Sequence, residues 1–310
     1  MASDDIIISV FTCTFNRLDT LRRTFESLKA QSFKNFEWIL VDNGSTDETS
    51  KVVPSWIPEA DFPIILQRRE TNTGFQSVYN EGVRLARGGF FLSLDSDDMC
   101  VPEALECLME RWNSIPREQQ SKFVGVTVCC NDQHGNLVGD EFPVSPLDSN
   151  ILEIEMHHKV KGEKWGLLRV DVLKDFPFPD TEHHIHLGHI WRAIARTYLT
   201  RYTNDKLRIY YIEEDSREDQ LSYHLSPYKS AYGKRLNSHD YLNYDISWFS
   251  SAPLIFIKNA LNYSRNSYLL GDSAAQQLKN VKPLLAKILV AISLPYGFWW
   301  ASNAARKHTT

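Results

Sequence analysis

Asp95, Asp97 and Asp98, in the run D-S-D-D, put three carboxylates directly after the apolar stretch FFLSL. Carboxylates so placed suit a hard divalent cation, Mg2+ or Mn2+, and through it a diphosphate they would otherwise repel. The same four residues also suit a solvated turn with a helix cap, because Asp and Ser favour both. Their position just past a buried-looking strand argues for chemistry. Asp42 ends FEWILV in the same way, although it could simply open an Asx turn with Asn43-Gly44. Two more polar clusters follow apolar runs, Thr12 to Arg17 and Asn72 to Gly74. The chain has neither G-x-G-x-x-G after its first strand nor G-x-x-x-x-G-K-[ST], so phosphate charge must be met without those loops.

The elements that must position these clusters can be read from periodicity. IIISVFT (6–12) is a β-branched run, and Leu21, Phe25 and Leu28 follow at helical spacing. FEWILV (36–41) and PIILQ (63–67) are further strands, and an amphipathic helix is predicted from about Gln76 to Arg87. Asp47 can cap a short helix, and Pro102 suits the first turn of PEALECLMERW. Four strands alternating with helices predict an α/β fold, a mainly parallel sheet flanked by helices. In such sheets the ligand crevice lies at the carboxyl ends of the strands, where all four polar clusters fall.

Composition narrows the function. The chain has 310 residues, 43% apolar, with 34 basic and 39 acidic side chains, enough to bury a core and inconsistent with wholesale disorder. No acidic residue follows Asp272, and Lys279, Lys282, Lys287, Arg306 and Lys307 give that tail +5, leaving −10 for the remainder. So acidic a body predicts no nucleic-acid partner. Five cysteines without a C-x-x-C pair argue against a closed disulfide framework. Two acids precede the first apolar run, the reverse of a secretory signal's start, so a cytoplasmic chain is expected.

Taken together, ISVFTCTFNR, FEWILVDNGSTDET, the N-T-G-x-x-x-x-Y-N-x-G-x-x-x-A-x-G run and FLSLDSDD closely resemble the family 2 glycosyltransferases of GT-A fold. The resemblance is most specific over residues 5–115 and weaker to about 225. It implies a nucleotide-sugar-binding half (1–115), an acceptor-binding half of the same domain (116–225) and a helical C-terminal extension (226–310). By position, Thr12 and Arg17 would line the nucleotide pocket, Asp42 would bind the base, and Asn72, Gly74 and Asn80 would lie near the nucleotide. Asp95 would face the ribose, with Asp97 and Asp98 at the metal. Phe75 and Gln76 depart from the family's Lys or His after the loop glycine.

The resemblance implies an inverting transfer from a nucleotide-diphosphate sugar, a UDP-sugar foremost, to a glycan or lipid-linked oligosaccharide in surface-polysaccharide synthesis. KVKGEKWGLLRVDVLKDFPFPD is similar to the acceptor-side segment, so Glu163, Lys164 and Trp165 would line the acceptor cleft; the other reading is a core Trp with two solvated neighbours. Family members carry an acid in a P-E-G-x-x-W run, where this chain has Leu187. Glu182, His186 and His189 are the candidate bases, since histidine can act near neutral pH. His224 would be a late metal ligand in some members. The zinc spacings are absent around 183–189, which leaves surface imidazoles as the alternative. Two rival functions stay open: a donor-binding protein with lost activity, motivated by Leu187, and a metal-dependent nucleotidyltransferase or sugar-nucleotide hydrolase.

The tail reads as two helices. LIFIKNALNYSRNSYLL (254–270) is amphipathic, and LLAKILVAISLPYGFWWAS (284–302) is strongly apolar but interrupted by Lys287 and Pro295, so its runs fall short of the roughly 20 residues that span a bilayer. Trp299 and Trp300 beside Arg306 and Lys307 predict a peripheral anchor through 284–310 on anionic lipid, at the inner face of the cell membrane. Packing on the catalytic domain or on a second copy is the competing account.

Overall fold

A computed structural model describes residues 6–181, 183, 185, 187–212 and 227–307. The chain divides into two compact units, residues 1–180 with 193–213, and 181–192 with 214–310.

The first unit is built on one mixed sheet of nine strands: β1 (Ile8–Thr14), β2 (Phe36–Asp42), β3 (Ile64–Arg68), β4 (Phe90–Ser93), β5 (Met99–Cys100), β6 (Phe123–Asp132), β7 (Leu147–Ser149), β8 (Lys164–Arg169) and β9 (Leu199–Tyr210). Their order is β3-β2-β1-β4-β8-β6-β9-β5, with β7 pairing on β9. The first four strands are parallel, β8 runs antiparallel to both β4 and β6, and β9 is parallel to β6. Every residue of β2 is buried, as expected of a parallel strand covered on both faces.

Helix Leu18–Lys29 turns Leu21, Phe25 and Leu28 inward. There Phe25 stacks on Trp38 and Trp56, with ring centroids 5.7 and 5.3 Å apart. The helix expected at Gln76–Arg87 runs from Phe75 to Leu85. Gly82 sits where this helix crosses β1, and a Cβ there would lie 2.3 Å from the Phe11 ring, which is hemmed in by Phe75, Tyr79 and Phe91. The glycine is therefore a requirement of close packing.

In the second unit, helix Pro253–Leu269 packs on the C-terminal helix Leu284–Lys307. The proline expected to interrupt the latter does not. Pro295 lies inside one continuous helix, because a single lost backbone bond is outweighed by a seam that buries Ala286, Val290, Ser293, Gly297 and Ala301. At Gly297 a Cβ would come within 2.3 Å of Ser264, so the helices meet at their smallest residues. The expected length limit falls with the interruption: Leu284–Ala304 is long and apolar enough, by length and composition, to cross a membrane.

Candidate functional site

Four loops leave the carboxyl ends of β1 to β4, and side chains stitch them together. Asn16, at a left-handed φ of 52°, accepts from the backbone N–H groups of Thr46 (2.7 Å) and Asp47 (3.3 Å), joining the first loop to the second. Asn43 donates to Asn72 Oδ1 at 3.0 Å and accepts from the Thr73 N–H at 3.1 Å, joining the second to the third. Gly44 is required here: its φ is +86°, and a Cβ would meet the Thr71 backbone at 2.6 Å. The fourth loop hangs on helix Leu18–Lys29, where Thr20 Oγ1 donates to Ser96 O at 2.9 Å and Thr24 Oγ1 to Asp98 O at 2.8 Å.

This stitching brings one oxygen each of Asp95, Asp97 and Asp98 within 4.8 Å of one another. Two arginines offset the charge. Arg208, from the end of β9, reaches Asp95 Oδ2 at 2.6 Å and Asp98 Oδ2 through Nε at 2.7 Å. It is nearly sealed, with a side chain 5% exposed against 2% for Asp98. The Tyr211 N–H takes the other Asp98 oxygen at 2.9 Å. Burial pushes the Asp98 carboxyl up to about 6, against the downward pull of Arg208 and that N–H. Arg17 pairs with Asp97 Oδ2, and there both side chains are about one third exposed, 32% and 30%.

A hard cation fits this donor set, but not through all three carboxylates. Asp98, expected at the metal, is buried with both oxygens engaged, so it anchors Arg208 and the loop. The more exposed carboxylates of Asp95 and Asp97 are the pair that could hold Mg2+ or Mn2+.

At the adjoining strand ends, Asp42 is buried, and its Oδ1 accepts from the Ser45 N–H at 2.8 Å. Among the described residues its Oδ2 has no hydrogen-bond partner, and Arg68 Nε lies 3.7 Å away. Thr14, beside Asp42 in the β1–β2 register, likewise keeps a buried Oγ1 without a partner among the described residues. Burying a polar group unpaired is unfavourable, so both atoms suit a ligand that supplies hydrogen bonds.

Other expected site residues do structural work. Thr12 is fully buried, donating to Leu94 O at 2.8 Å and accepting from Trp38 Nε1 at 3.0 Å, so its hydroxyl braces strands and does not line a pocket. Asn80 clamps the Phe178 backbone with two bonds of 2.9 Å. Asn72 Oδ1 also accepts from the N–H of Gly74, which precedes helix Phe75–Leu85. Trp165 belongs to the core, with Nε1 donating to Ser93 O at 2.6 Å, which overturns its expected place in an acceptor cleft. Lys164 folds back onto Lys161 O at 2.9 Å. Glu163 lies 3.7 Å from Arg208, with its carboxyl raised above the usual range by burial.

In the second unit, His189 Nδ1 lies 2.9 Å from Asp240 Oδ2. Leu187 is partly exposed just before helix Gly188–Ala195. Glu182, His186 and His224 lie outside the described residues. Arg208, Thr14, Asn16, Asn43, Thr20 and Thr24 were not singled out from sequence. The i, i+4 threonines on a helix whose neighbours are charged were the available signal.

Residues 9–124 match the family model described as glycosyl transferase family 2. The GalNAc(5)-diNAcBac-PP-undecaprenol beta-1,3-glucosyltransferase of Campylobacter jejuni is 28% identical over 228 residues, covering 73% of this chain and 69% of that protein. Chondroitin synthase of Escherichia coli is 28% identical over 155 residues, 49% of this chain but 22% of that one. Among solved structures, S. aureus TarS 1–349 in complex with UDP-GlcNAc aligns with 97% of this chain and 92% of its own, at a TM-score of 0.62 and 17% identity. The mannosyltransferase PcManGT of Pyrobaculum calidifontis, in complex with GDP-Man and Mn2+, aligns with 98% and 87% at 0.53, also 17% identical. At that identity the two structures share the fold.

The burial of the two ion pairs sets what their loss should do. Removing one partner of a sealed pair costs about 3–5 kcal/mol, whereas a pair open to solvent contributes about 0–1 kcal/mol. In denaturant unfolding Arg208→Gln should therefore lower stability by about 3–5 kcal/mol and Asp97→Asn by about 1 kcal/mol or less. Equal losses would contradict the assignment of Arg208 as the anchor.

Proposed function

Because residues 9–124 match the glycosyl transferase family 2 model, we propose that the chain moves one sugar from a UDP-sugar to a hydroxyl of a glycan or lipid-linked oligosaccharide in surface-polysaccharide synthesis. The observation that carries this reading is the meeting, at the ends of four parallel strands, of a carboxylate pair suited to a divalent cation and a buried, unpartnered oxygen on Asp42. The ligands named for the structural relatives are nucleotide sugars, and the glucosyltransferase is named for a lipid-linked acceptor.

Asp42 Oδ2 accepts a base N–H, with Thr14 Oγ1 beside it. Asp97 and Asp95 would hold Mn2+ or Mg2+, which when bound would supply Lewis acidity to the leaving diphosphate. Asp98 and Arg208 fix the loop that carries those ligands. Glu163, beside Arg208, is the acceptor-side candidate of the first unit, and His189, 2.9 Å from Asp240, is the candidate base of the second. The transfer would invert the anomeric carbon, with the hydroxyl attacking from the face opposite the leaving diphosphate.

The C-terminal helix supports a place at the membrane. Leu284, Ile288, Ile292, Phe298 and Trp299 are exposed on it, as are Leu254 and Ile257 on helix Pro253–Leu269, and the tail carries no acid. Apolar exposure on this scale marks an interaction surface, and the cations favour anionic lipid. The enzyme would act at the inner face of the cell membrane, resting on it through this face.

Thermal shift across UDP- and GDP-sugars with Mn2+ tests the donor, since a ligand at 100 times its Kd stabilises by about 2.7 kcal/mol. Asp97→Ala should erase the Mn2+-dependent shift, and Asp42→Asn should weaken the nucleotide by about 1.5–3 kcal/mol. A full shift in Asp97→Ala would refute the metal assignment.

For the base, His189→Asn should lower kcat by about 10²–10⁴-fold with donor KM unchanged. An unaltered kcat would move the role to Glu182 or His186. Nucleotide release without an acceptor would instead favour a hydrolase.

For the membrane, the full chain should sediment with anionic vesicles, and an Ile292→Glu, Trp299→Glu variant should stay in the supernatant. Equal soluble fractions would reassign the apolar face to a second copy.

A further inference from the structure

The two arginines on the carboxylate loop differ in how they are held. Arg208 grips Asp95 and Asp98 from inside the sheet, and Glu163 stands 3.7 Å away. Arg17 projects from the loop after β1, directly behind the left-handed Asn16, and its guanidinium touches only Asp97 among the described residues. Nearby cations are committed elsewhere: Arg69 to Glu81 at 2.9 Å, and Arg23 over the Tyr211 ring at 3.7 Å.

We infer that Arg17 is a displaceable counter-cation, which occupies Asp97 Oδ2 until a divalent metal takes that oxygen and then carries its charge to the donor diphosphate. The inference rests on the metal assignment proposed above. Its physical basis is a charge count. Asp95, Asp97 and Asp98 with the two guanidiniums stand at −1, or −2 when Glu163 beside Arg208 is counted, and departure of Arg17 adds one negative charge to what an incoming divalent cation meets. Arg208 cannot leave without stranding the sealed carboxylate of Asp98. Arg17 leaves only a half-open pair, and water takes its place on either partner. The freed guanidinium suits a diphosphate, whose oxygens it can bind in pairs, and this chain has no glycine-rich phosphate loop to serve instead. Metal and nucleotide therefore enter as a unit: either alone has to work against the Arg17–Asp97 pair, and together they satisfy both halves of it.

Mn2+ binding to the full chain, read from the electron paramagnetic resonance signal of free Mn2+ with and without UDP and corrected for Mn2+ held by UDP itself, tests this. Arg17→Ala should bind Mn2+ alone about two- to fivefold tighter than the unsubstituted chain, the size of a half-exposed ion pair. UDP should then raise Mn2+ affinity less in Arg17→Ala than in the unsubstituted chain, and Arg17→Lys should restore both values toward it. Mn2+ affinity in Arg17→Ala that is unchanged or weaker would overturn the inference. Asp97→Ala separates the two levels: if it retains full Mn2+ binding, the metal assignment fails and takes Arg17 with it. If it abolishes binding while Arg17→Ala changes nothing, only the displacement fails.

Discussion

Three carboxylates cannot keep their oxygens within 4.8 Å of one another unless positive charge stands among them. Arg208 supplies it from the interior, and much of the first unit is arranged to deliver that residue. The loop that carries the aspartates runs straight into β5, whose Met99 and Cys100 pair with Ile209 and Arg208 of β9. Backbone ladder and ion pair thus fasten the same two segments twice. The sealing of Arg208 also makes the arrangement one-sided: Asp98 is used up in holding the guanidinium, and the carboxylates nearer solvent are left for a ligand. A cluster that reads as three equivalent acids is, once folded, one sealed anchor and two more exposed carboxylates.

The same economy explains why some parts were legible in sequence and others were not. β1 to β4 are short apolar runs ended by polar clusters, and burial on both faces of a parallel sheet leaves no other reading. The roles of individual motif residues were less legible, because conservation of a pattern and contact with a ligand are different things. Gly82 is needed for the Phe11 ring, Asn80 for the Phe178 backbone, and Thr12 for Leu94 and Trp38. Trp165 spends its indole N–H on Ser93. Arg208 was invisible for the opposite reason: an arginine near the end of a strand resembles any solvated one, and its partner lies 110 positions earlier in the chain.

The C-terminal helix shows a related failure of periodicity. In a helix of a water-soluble domain the large apolar residues point inward and the polar ones outward. Here the buried positions are Ala286, Val290, Ser293, Gly297 and Ala301, flanked by partly buried Leu289 and Leu294, while Leu284, Ile288, Ile292, Phe298 and Trp299 are exposed. Both faces are apolar, so no stripe of polarity marks which side is buried; residue size marks it instead. Small residues at a helix contact let backbones approach closely, and that device does not depend on water to drive the helices together. The large side chains are left exposed. A fold that wanted this helix only as a structural brace would gain more by turning isoleucine and phenylalanine toward helix Pro253–Leu269 and alanine toward solvent, at about 25 cal/mol for each Å² of apolar surface removed from water. That Ile288, Ile292 and Phe298 stay exposed along this helix is the physical ground on which the proposed membrane contact rests.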